Sequence, residues 1–324
     1  MKLSFRYNIN NKHSKDKRGF RQILKKDYFP NWQLYLLLLI PITYIIIFRY
    51  IPMVGAQIAF RKYDFTLGIW NSPWVGLDNF KRFFDSYQFK TIIRNTLTLS
   101  FYGLFVSFPL PIILALILNA FPWIRYKKLV QTVSYVPHFI STVVIVGMLM
   151  QIFNPRNGAI GAIYQLFTGR IMNDLFANPN AFPHIYVWSG IWQSIGWSSI
   201  IYIAALSSVD EEQYSAAQID GASVFQRIIH IDFPAVLPTA TIMLILAAGN
   251  IMNVGFEKVY LMQNSLNISK SEVISTYVYK IGMTIGIGDF SFATTIDLFN
   301  SIINFFLLVT VNFLSKKLSD IYLW

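Results

Sequence analysis

The sequence predicts an all-α, polytopic membrane protein with about six transmembrane helices, and three observations lead to that fold class. First, hydrophobic residues fill 54% of the 324 positions, whereas charged residues fill only 13%. Second, apolar stretches of ~18 or more residues recur along the chain, and a helix of that length crosses a bilayer. Third, a polar, basic tail stands directly before the first stretch, where lysine and arginine help to fix the orientation of a membrane protein.

The six predicted spans are separated by polar segments. The first follows the basic tail and is expected to be retained, because it is longer than the apolar part of a signal peptide and no small-residue cleavage site follows it. Arg125, Lys127 and Lys128 separate the second span from the third. Prolines inside the spans, Pro137 among them, are expected to kink the helices without ending them. The spans cover 34–51, 97–121, 129–153, 184–206, 237–254 and 290–314.

The basic residues predict that both ends of the chain lie on the inner side of the membrane. Nine of the 27 Lys and Arg residues lie in the N-terminal tail, and Lys316 and Lys317 follow the last span. Basic residues on that side meet anionic lipid headgroups, so the net charge of +11 indicates a membrane-lipid partner and no nucleic acid. The predicted organisation is a basic cytoplasmic tail (1–33), a first span with its outer segment (34–92), a five-span core (93–315) and a short cytoplasmic tail (316–324).

The sequence holds none of the patterns expected of an enzyme or an ATPase. It has no cysteine, which excludes disulfides and thiolate metal sites. It has no GxxxxGK[ST] phosphate-binding loop, so ATP must bind to another polypeptide. It also has no nucleophile elbow and no metal-spaced cluster of His and Glu. We therefore expect a non-catalytic membrane subunit with no cofactor or metal of its own.

The segment 207–236, between the fourth and fifth spans, is polar but strongly patterned, and we expect it at the inner face of the membrane. Ser208 and Glu211 have the spacing of a capping box, which predicts a short helix over 209–219. Gly221 permits a sharp bend. A second helical piece is expected to run to about residue 229, before Pro234 stops it.

Small residues mark one side of the first helix in this segment. Ala217 and Gly221 are four residues apart and would share a helix face, where small side chains permit close approach by another protein. Two interpretations remain open. Either this face enters a groove of a partner protein, or the helix is an amphipathic helix that simply lies at the membrane interface.

The same segment resembles the EAA loop of bacterial ABC importer permeases. In that family a Glu-Ala-Ala triplet is followed by three residues, a glycine, nine residues and Ile-x-Leu-Pro, and the spacings here match. Ser215 stands where the family usually has glutamate, and Phe233 where it usually has leucine. The resemblance implies that the segment couples to an ATPase through Glu211, Tyr214, Ser215, Ala216, Ala217, Asp220, Gly221, Ala222 and Pro234.

Further stretches across about residues 30–324 resemble one carbohydrate-uptake subgroup of these permeases. They are 50–53, 72–80, 111–116, 135–141 and 322–324. Members of the subgroup import fragments of plant or algal polysaccharides or pieces of host glycans. The resemblance implies a type I ABC importer in the bacterial cell membrane, with an oligosaccharide substrate, a second, non-identical permease subunit, a cytoplasmic ATPase dimer that binds ATP and magnesium, and an extracytoplasmic substrate-binding protein.

Asp297 is the first candidate for the substrate pathway, because it is the only acidic residue inside a predicted span. A carboxylate at the centre of a membrane helix costs ~2.5–3.5 kcal/mol on insertion scales, so it should face water or a partner. Asp297 therefore either lines the pathway and contacts sugar hydroxyls, or meets a watery span end or a neighbouring subunit.

Aromatic and amide side chains supply the other pathway candidates. Trp192, Trp197 and Gln193 suit stacking and hydrogen bonding to a sugar, but they also suit helix packing and the interfacial aromatic belt. Asn250 and Asn253 either line the pathway or hold two helices together by hydrogen bonds.

An ion-coupled secondary transporter of a polar solute is the alternative function. Such transporters usually place acids inside the membrane or are built from repeats with broken helices. A single intramembrane acid and the absence of a visible repeat both count against it.

Overall fold

The computed structural model of the protein describes residues 32–284 and 288–319. Every named element in these residues is helical, and the one strand-like pairing among them is an isolated antiparallel bridge between Arg61 and Trp74. The predicted all-α class is therefore confirmed. Most of the predicted basic tail and the last residues of the C-terminal tail lie outside the described residues. The chain divides into one unit up to Ala56 and a second from Gln57 onward.

The first unit is built on one apolar helix. Helix α1 (Trp32–Ile45) continues through a π-helical turn (Ile46–Tyr50) and a further helical turn (Ile51–Met53). Pro41 lies inside α1 and does not end it. The helical run continues as a 3₁₀ helix (Val54–Phe60), so the first predicted span is longer than the sequence indicated.

The second unit contains fifteen further α-helices among its described residues. They are α2 (Gly68–Asn71), α3 (Asp78–Asp85), α4 (Tyr87–Ser107), α5 (Pro109–Ala120), α6 (Ile124–Tyr135), α7 (Thr142–Ile152), α8 (Ala159–Thr168), α9 (Phe182–Leu206), α10 (Glu211–Ile219), α11 (Val224–Arg227), α12 (Phe233–Ala248), α13 (Phe256–Met262), α14 (Ile268–Ser271), α15 (Ile274–Tyr279) and α16 (Phe290–Ser319). A 3₁₀ turn (Val136–Phe139) follows α6, and π-helical turns follow α11 (Ile228–Asp232) and α15 (Lys280–Thr284).

Four described helical runs are long and apolar enough to cross a membrane. They are Trp32–Phe60, Tyr87–Ala120, Val224–Ala248 and Phe290–Lys317, and a bent pair over Ile124–Ile152 makes a fifth if it counts as one span. Helix α9, the predicted fourth span, has 25 residues and at 1.5 Å per residue is long enough to cross. Its serines, glycines and glutamine make it less apolar than the others. The count of six and the orientation remain predictions.

The third predicted span is not one continuous helix, which corrects the prediction for 129–153. The run Ile124–Phe139 and helix α7 meet at an angle of 102°. Pro137 lies in the 3₁₀ turn between them. Ser141 then starts a new helix, because its Oγ accepts the backbone N–H of Val144 at 3.4 Å. The proline therefore marks a break here and not a mild kink.

Helix α9 lies at the centre of the second unit, between α4, α5, α6 and α12. One apolar cluster joins α5, α9 and α12 through Ala115, Tyr202 and Val236. A second cluster forms around Phe182 and Met262, and a third packs helix α3 against α16. Helix α9 therefore joins the long helices α4, α5, α6 and α12 of this unit.

Candidate functional site

The segment 207–236 folds as a helix, a bend and a second helix, as predicted, but it begins differently. Helix α10 starts at Glu211, and Asp210 is its N-cap, with Oδ1 accepting the backbone N–H of Glu212 at 3.1 Å. The predicted capping box of Ser208 and Glu211 is wrong, because the Ser208 hydroxyl donates instead to the carbonyl of Ala205 at the end of α9. Asp210 supplies the favourable negative charge at the helix N-terminus.

Gly221 makes the bend at the end of α10. Its φ is +75°, a conformation that glycine adopts without a steric cost. The N–H of Ala222 donates to the carbonyl of Ala217 at 2.8 Å, and the N–H of Gly221 donates to that of Gln218 at 3.2 Å. These two bonds form a Schellman motif. Gly221 therefore lies beyond the helix end, so it does not share a helix face with Ala217 as the spacing predicted.

Pro234 does not stop the second helix, which corrects the sequence-based prediction. Ser223 and Gln226 form a capping box that starts α11, and the helix then continues without interruption from Val224 to Ala248. The π-helical turn before Pro234 explains the continuity, because the N–H of Phe233 reaches back five residues to the carbonyl of Ile228. Pro234 then falls in the first turn of an α-helical segment, where a missing N–H is tolerated.

A polar cluster around the buried Asp232 ties α10 to the rest of the unit. The Tyr214 hydroxyl donates to Oδ1 of Asp232 at 2.5 Å, and the Asn119 amide donates to both groups at 3.2 Å. Asp232 is only 2% exposed. Burial, together with the adjacent Asp232 carboxylate, raises the pKa of Tyr214 to about 12, so the tyrosine remains a hydrogen-bond donor at neutral pH.

Sequence reasoning missed two members of this cluster. Asp232 lies within the run Val224–Ala248, so Asp297 is not the only acid in a candidate span. Asn119 lies at the end of α5, 113 residues from Asp232 in sequence. A carboxylate a few residues before an apolar run was the available signal for Asp232, whereas nothing local marked Asn119.

The remaining residues of the segment present an open surface. Glu211, Ser215, Ala216 and Asp220 are exposed, and Ala217 and Ala222 are half-buried. Two large apolar side chains protrude beside them, with Ile219 87% exposed and Phe225 69% exposed. Exposed apolar side chains grouped on a polar segment are typical of a surface that contacts another protein.

A cavity of about 740 Å³ lies between α4, α5, α9 and α12 and reaches the start of α13. Among the predicted pathway residues, Gln193, Trp197, Asn250 and Asn253 line it. The Trp197 ring stacks on His138 at 4.5 Å between centroids, which fixes its orientation. Gln193 donates to the carbonyl of Ile140 at 3.2 Å. An apolar wall with a few oriented polar groups is typical of a ligand cavity.

Asn253 serves the cavity wall and helix packing together. Its Oδ1 accepts the amides of Asn300 at 3.0 Å and Asn304 at 3.2 Å, both from α16. The Asn304 amide oxygen in turn accepts the N–H of Met252 at 3.0 Å, in the turn that follows α12. A Cβ on Gly249 would lie 2.6 Å from Leu308, so this glycine permits the close approach of the two helices. Asn253 therefore lines the cavity and also bonds to α16, whereas Asn250 lines the cavity and donates to the carbonyl of Leu246 at 3.1 Å within its own turn. A place on the substrate pathway stays a prediction for both residues.

Trp192 and Asp297 lie apart from this cavity. Neither residue lines it, and both side chains are exposed. Among the described residues Asp297 has no hydrogen-bond or ion-pair partner. An unpaired carboxylate on a span must face water or a group from another chain.

Asp297→Asn is expected to change the apparent substrate affinity or the coupling to ATP hydrolysis more than it changes assembly. The substitution removes the charge but keeps the size and most of the hydrogen bonding of the side chain. Apparent affinity and stimulated ATP hydrolysis measured in proteoliposomes check this, with Ser301→Ala, exposed on the same helix, as the control. Unchanged values for both quantities would show that Asp297 is structural.

Lys258 is a cavity residue that sequence reasoning missed. It lies on α13 and lines the cavity, although it is only 9% exposed. Its Nζ donates to the carbonyl of Tyr186 at 3.1 Å and lies 5.2 Å from the centre of the Tyr186 ring. Burial lowers the pKa of Lys258 to about 8. Its sequence neighbours gave no sign of burial, because the residue falls in the segment between the last two predicted spans.

No group of three or more His, Asp or Glu side chains in residues 32–284 and 288–319 is arranged to hold a metal ion. The polar groups of the cavity are amides, hydroxyls and one ammonium. Such groups can hold a polar solute through hydrogen bonds.

Comparison with known proteins identifies the family. Residues 125–320 match the family described as "Binding-protein-dependent transport system inner membrane component". Protein LplB of Bacillus subtilis (strain 168) is 42% identical over 294 residues, which cover 91% of this chain and 90% of the relative. The polygalacturonan/rhamnogalacturonan transport system permease protein YteP of the same organism is 38% identical over 309 residues, covering 95% and 94%.

Two solved structures share the fold over most of the chain. A crystal structure of a bacterial ABC transporter involved in the import of the acidic polysaccharide alginate matches with a TM-score of 0.83 and 35% identity, covering 92% of this chain and 99% of that chain. A bacterial alginate ABC transporter in complex with an alginate pentasaccharide-bound periplasmic protein matches with a TM-score of 0.84 and 34% identity, covering 94% and 99%. The chain therefore belongs to the family of inner membrane components of binding-protein-dependent transport systems, and it is a multi-pass, non-catalytic permease subunit of an ABC importer in the cell membrane.

Proposed function

We propose that this permease imports oligosaccharides or polysaccharide fragments and forms half of the translocation pathway. The observation that carries the proposal is the cavity between α4, α5, α9 and α12. It presents the Trp197 ring beside the amides of Gln193, Asn250 and Asn253. An aromatic face packs against a pyranose ring, and amides bind its hydroxyls. The substrates named for the similar permease and transporters belong to the same chemical class.

The segment 207–236 is proposed to couple the permease to a separate ATPase. Helix α10 presents Ile219 outward while the Tyr214–Asp232–Asn119 cluster fixes its inner side. A docked ATPase dimer would hold ATP and magnesium, since this chain has no phosphate-binding loop. The permease would then have two conformational states. The ATPase would shift the equilibrium between them when its own movement makes it bind one state more tightly than the other.

The other proposed partners are an extracytoplasmic substrate-binding protein and a second, non-identical permease subunit. A binding protein is part of the family description, and a periplasmic protein is bound in one similar structure. The exposed acid Asp297 supports a pathway that another chain completes. An ion-coupled secondary transporter is not favoured, because the family is one of binding-protein-dependent systems.

Transport is expected to require the non-identical permease. This chain, reconstituted in proteoliposomes with the ATPase and the binding protein alone, should give no ATP-driven uptake of a labelled oligosaccharide. Addition of the second permease should restore uptake. The matched control omits only ATP from the complete system. Uptake at the full rate by a homodimer of this chain would refute the requirement.

A further inference from the structure

The cavity has a single charged group among the described residues, and that group is a cation. No aspartate or glutamate in the described ranges lines the cavity, whereas Lys258 does. Glu257 precedes it in sequence but is exposed, and no described ion pair includes Lys258. A buried ammonium without an anion is costly, because burial penalises the charged form. An anionic group from outside this chain would offset that cost.

The surrounding residues hold the ammonium in one place. Tyr186 fixes it from α9 with its backbone carbonyl and its ring, and the Tyr186 hydroxyl accepts the N–H of Gly255 at 3.2 Å. Gly190 leaves the necessary room, because a Cβ there would lie 3.3 Å from Nζ of Lys258. An ammonium has three N–H donors and the carbonyl of Tyr186 takes one. The other two remain for a ligand in the cavity.

We propose that Lys258 is a specificity residue that binds a carboxylate of the transported sugar, so that the cargo is an acidic, uronate-containing oligosaccharide. The inference rests on the proposed function and names the substrate class of the same cavity. A carboxylate is favoured because the neighbouring cavity groups suit a sugar, and a uronate carries both features. A charge-assisted hydrogen bond in a partly enclosed cavity is stronger than one between neutral groups.

The test compares a short oligogalacturonide with the same oligosaccharide after its carboxyl groups have been reduced to alcohols. Binding is measured on the purified complex of both permeases and the ATPase in nanodiscs, without the binding protein. We expect the wild-type complex to bind the acidic oligosaccharide at least ~tenfold more tightly, as one charge-assisted hydrogen bond allows. Lys258→Gln should remove this preference by weakening the acidic ligand alone, since glutamine still donates a hydrogen bond.

Two further variants separate charge from structure. Lys258→Arg keeps the positive charge and should keep the preference, whereas Lys62→Met removes an exposed lysine outside the cavity and should change nothing. Equal binding of the two oligosaccharides by the wild type would overturn the inference. This comparison uses the wild-type complex alone, so it does not depend on whether a variant folds. An equal loss for both ligands in Lys258→Gln would also overturn it, because the lysine would then be structural.

ATP-driven uptake distinguishes this inference from the proposed function. The carboxyl-reduced oligosaccharide could be taken up while the complex binds the acidic and reduced forms equally. That result would refute the role of Lys258 and leave oligosaccharide import standing. Failure of the complete wild-type system to take up either oligosaccharide would overturn the proposed function itself.

Discussion

Gly221→Leu should reduce the ATP hydrolysis that substrate-loaded binding protein stimulates by at least ~tenfold, while the spans still insert. A non-glycine residue in the left-handed conformation costs ~1–2 kcal/mol, and ~1.4 kcal/mol corresponds to a factor of ten. No atom lies within 4 Å of a Cβ placed on Gly221, so strain at φ +75° and obstruction of the docked ATPase are the two sources of the effect. Stimulated hydrolysis in proteoliposomes is the measurement.

The control for Gly221→Leu is Gly169→Leu. Gly169 also has a positive φ, +67°, and open space around its Cβ position, but it ends α8 far from the segment 207–236 in sequence. The two substitutions impose similar backbone strain, but only Gly221→Leu alters the segment 207–236. Only Gly221→Leu should therefore reduce the stimulated ATP hydrolysis. Full stimulation in Gly221→Leu would show that this segment is not the coupling element. Equal loss in both variants would point to general destabilisation.

Tyr214→Phe should lower stimulated ATP hydrolysis by roughly tenfold. The substitution removes the hydroxyl that donates to Asp232 at 2.5 Å and leaves that buried carboxylate with one amide donor. An unsatisfied buried polar group costs ~1–3 kcal/mol, and more when it is charged. Helix α10 would then lose its fixed position relative to α5 and α12. Hydrolysis and the thermal midpoint of the complex are measured together.

A double-mutant cycle tests whether the two side chains act as a pair. Asp232→Asn combined with Tyr214→Phe should lower the thermal midpoint and the stimulated ATP hydrolysis by less than the sum of the two single effects. The reason is that the double variant no longer buries an unpaired charge. Tyr126→Phe, at an exposed tyrosine of α6, is the control and should behave as wild type. Additive effects in the cycle would contradict direct coupling through this hydrogen bond.

Sequence patterns predicted those features that depend on neighbouring residues. Long apolar runs indicated the helices, and Gly221 marked the bend because few other residues adopt a positive φ. The spacing around Ala216 and Ala217 indicated the family that the comparisons confirm. Each of these features is set by residues within a few positions of one another.

Features that depend on distant residues were missed. Asn119 reaches Asp232 only in the folded chain, and Lys258 is buried beside Tyr186 of α9, 72 residues earlier in the sequence. Pro234 was expected to end a helix, but a preceding π-helical turn shifts the hydrogen bonds and removes the need for its N–H. Pro137 was expected to leave a helix intact, yet it marks a break. The presence of a proline therefore does not by itself predict whether a helix continues or ends there, because the hydrogen bonds of the neighbouring residues decide it.

The helical run from Val224 to Ala248 links the segment 207–236 directly to the cavity wall, because Met243 and Ala247 near its end line the cavity. At 1.5 Å per residue it extends ~36 Å, from the bend beside Gly221 to the turn that carries Asn250. A tilt of only ~5° about one end of a rod this long would displace the other end by ~3 Å, which is about the length of one hydrogen bond. Asn304 holds the far end to α16 through Met252, so the two helices would swing as one body. If the segment 207–236 couples to an ATPase as proposed, a small angular movement there would be enough to change the shape of the cavity.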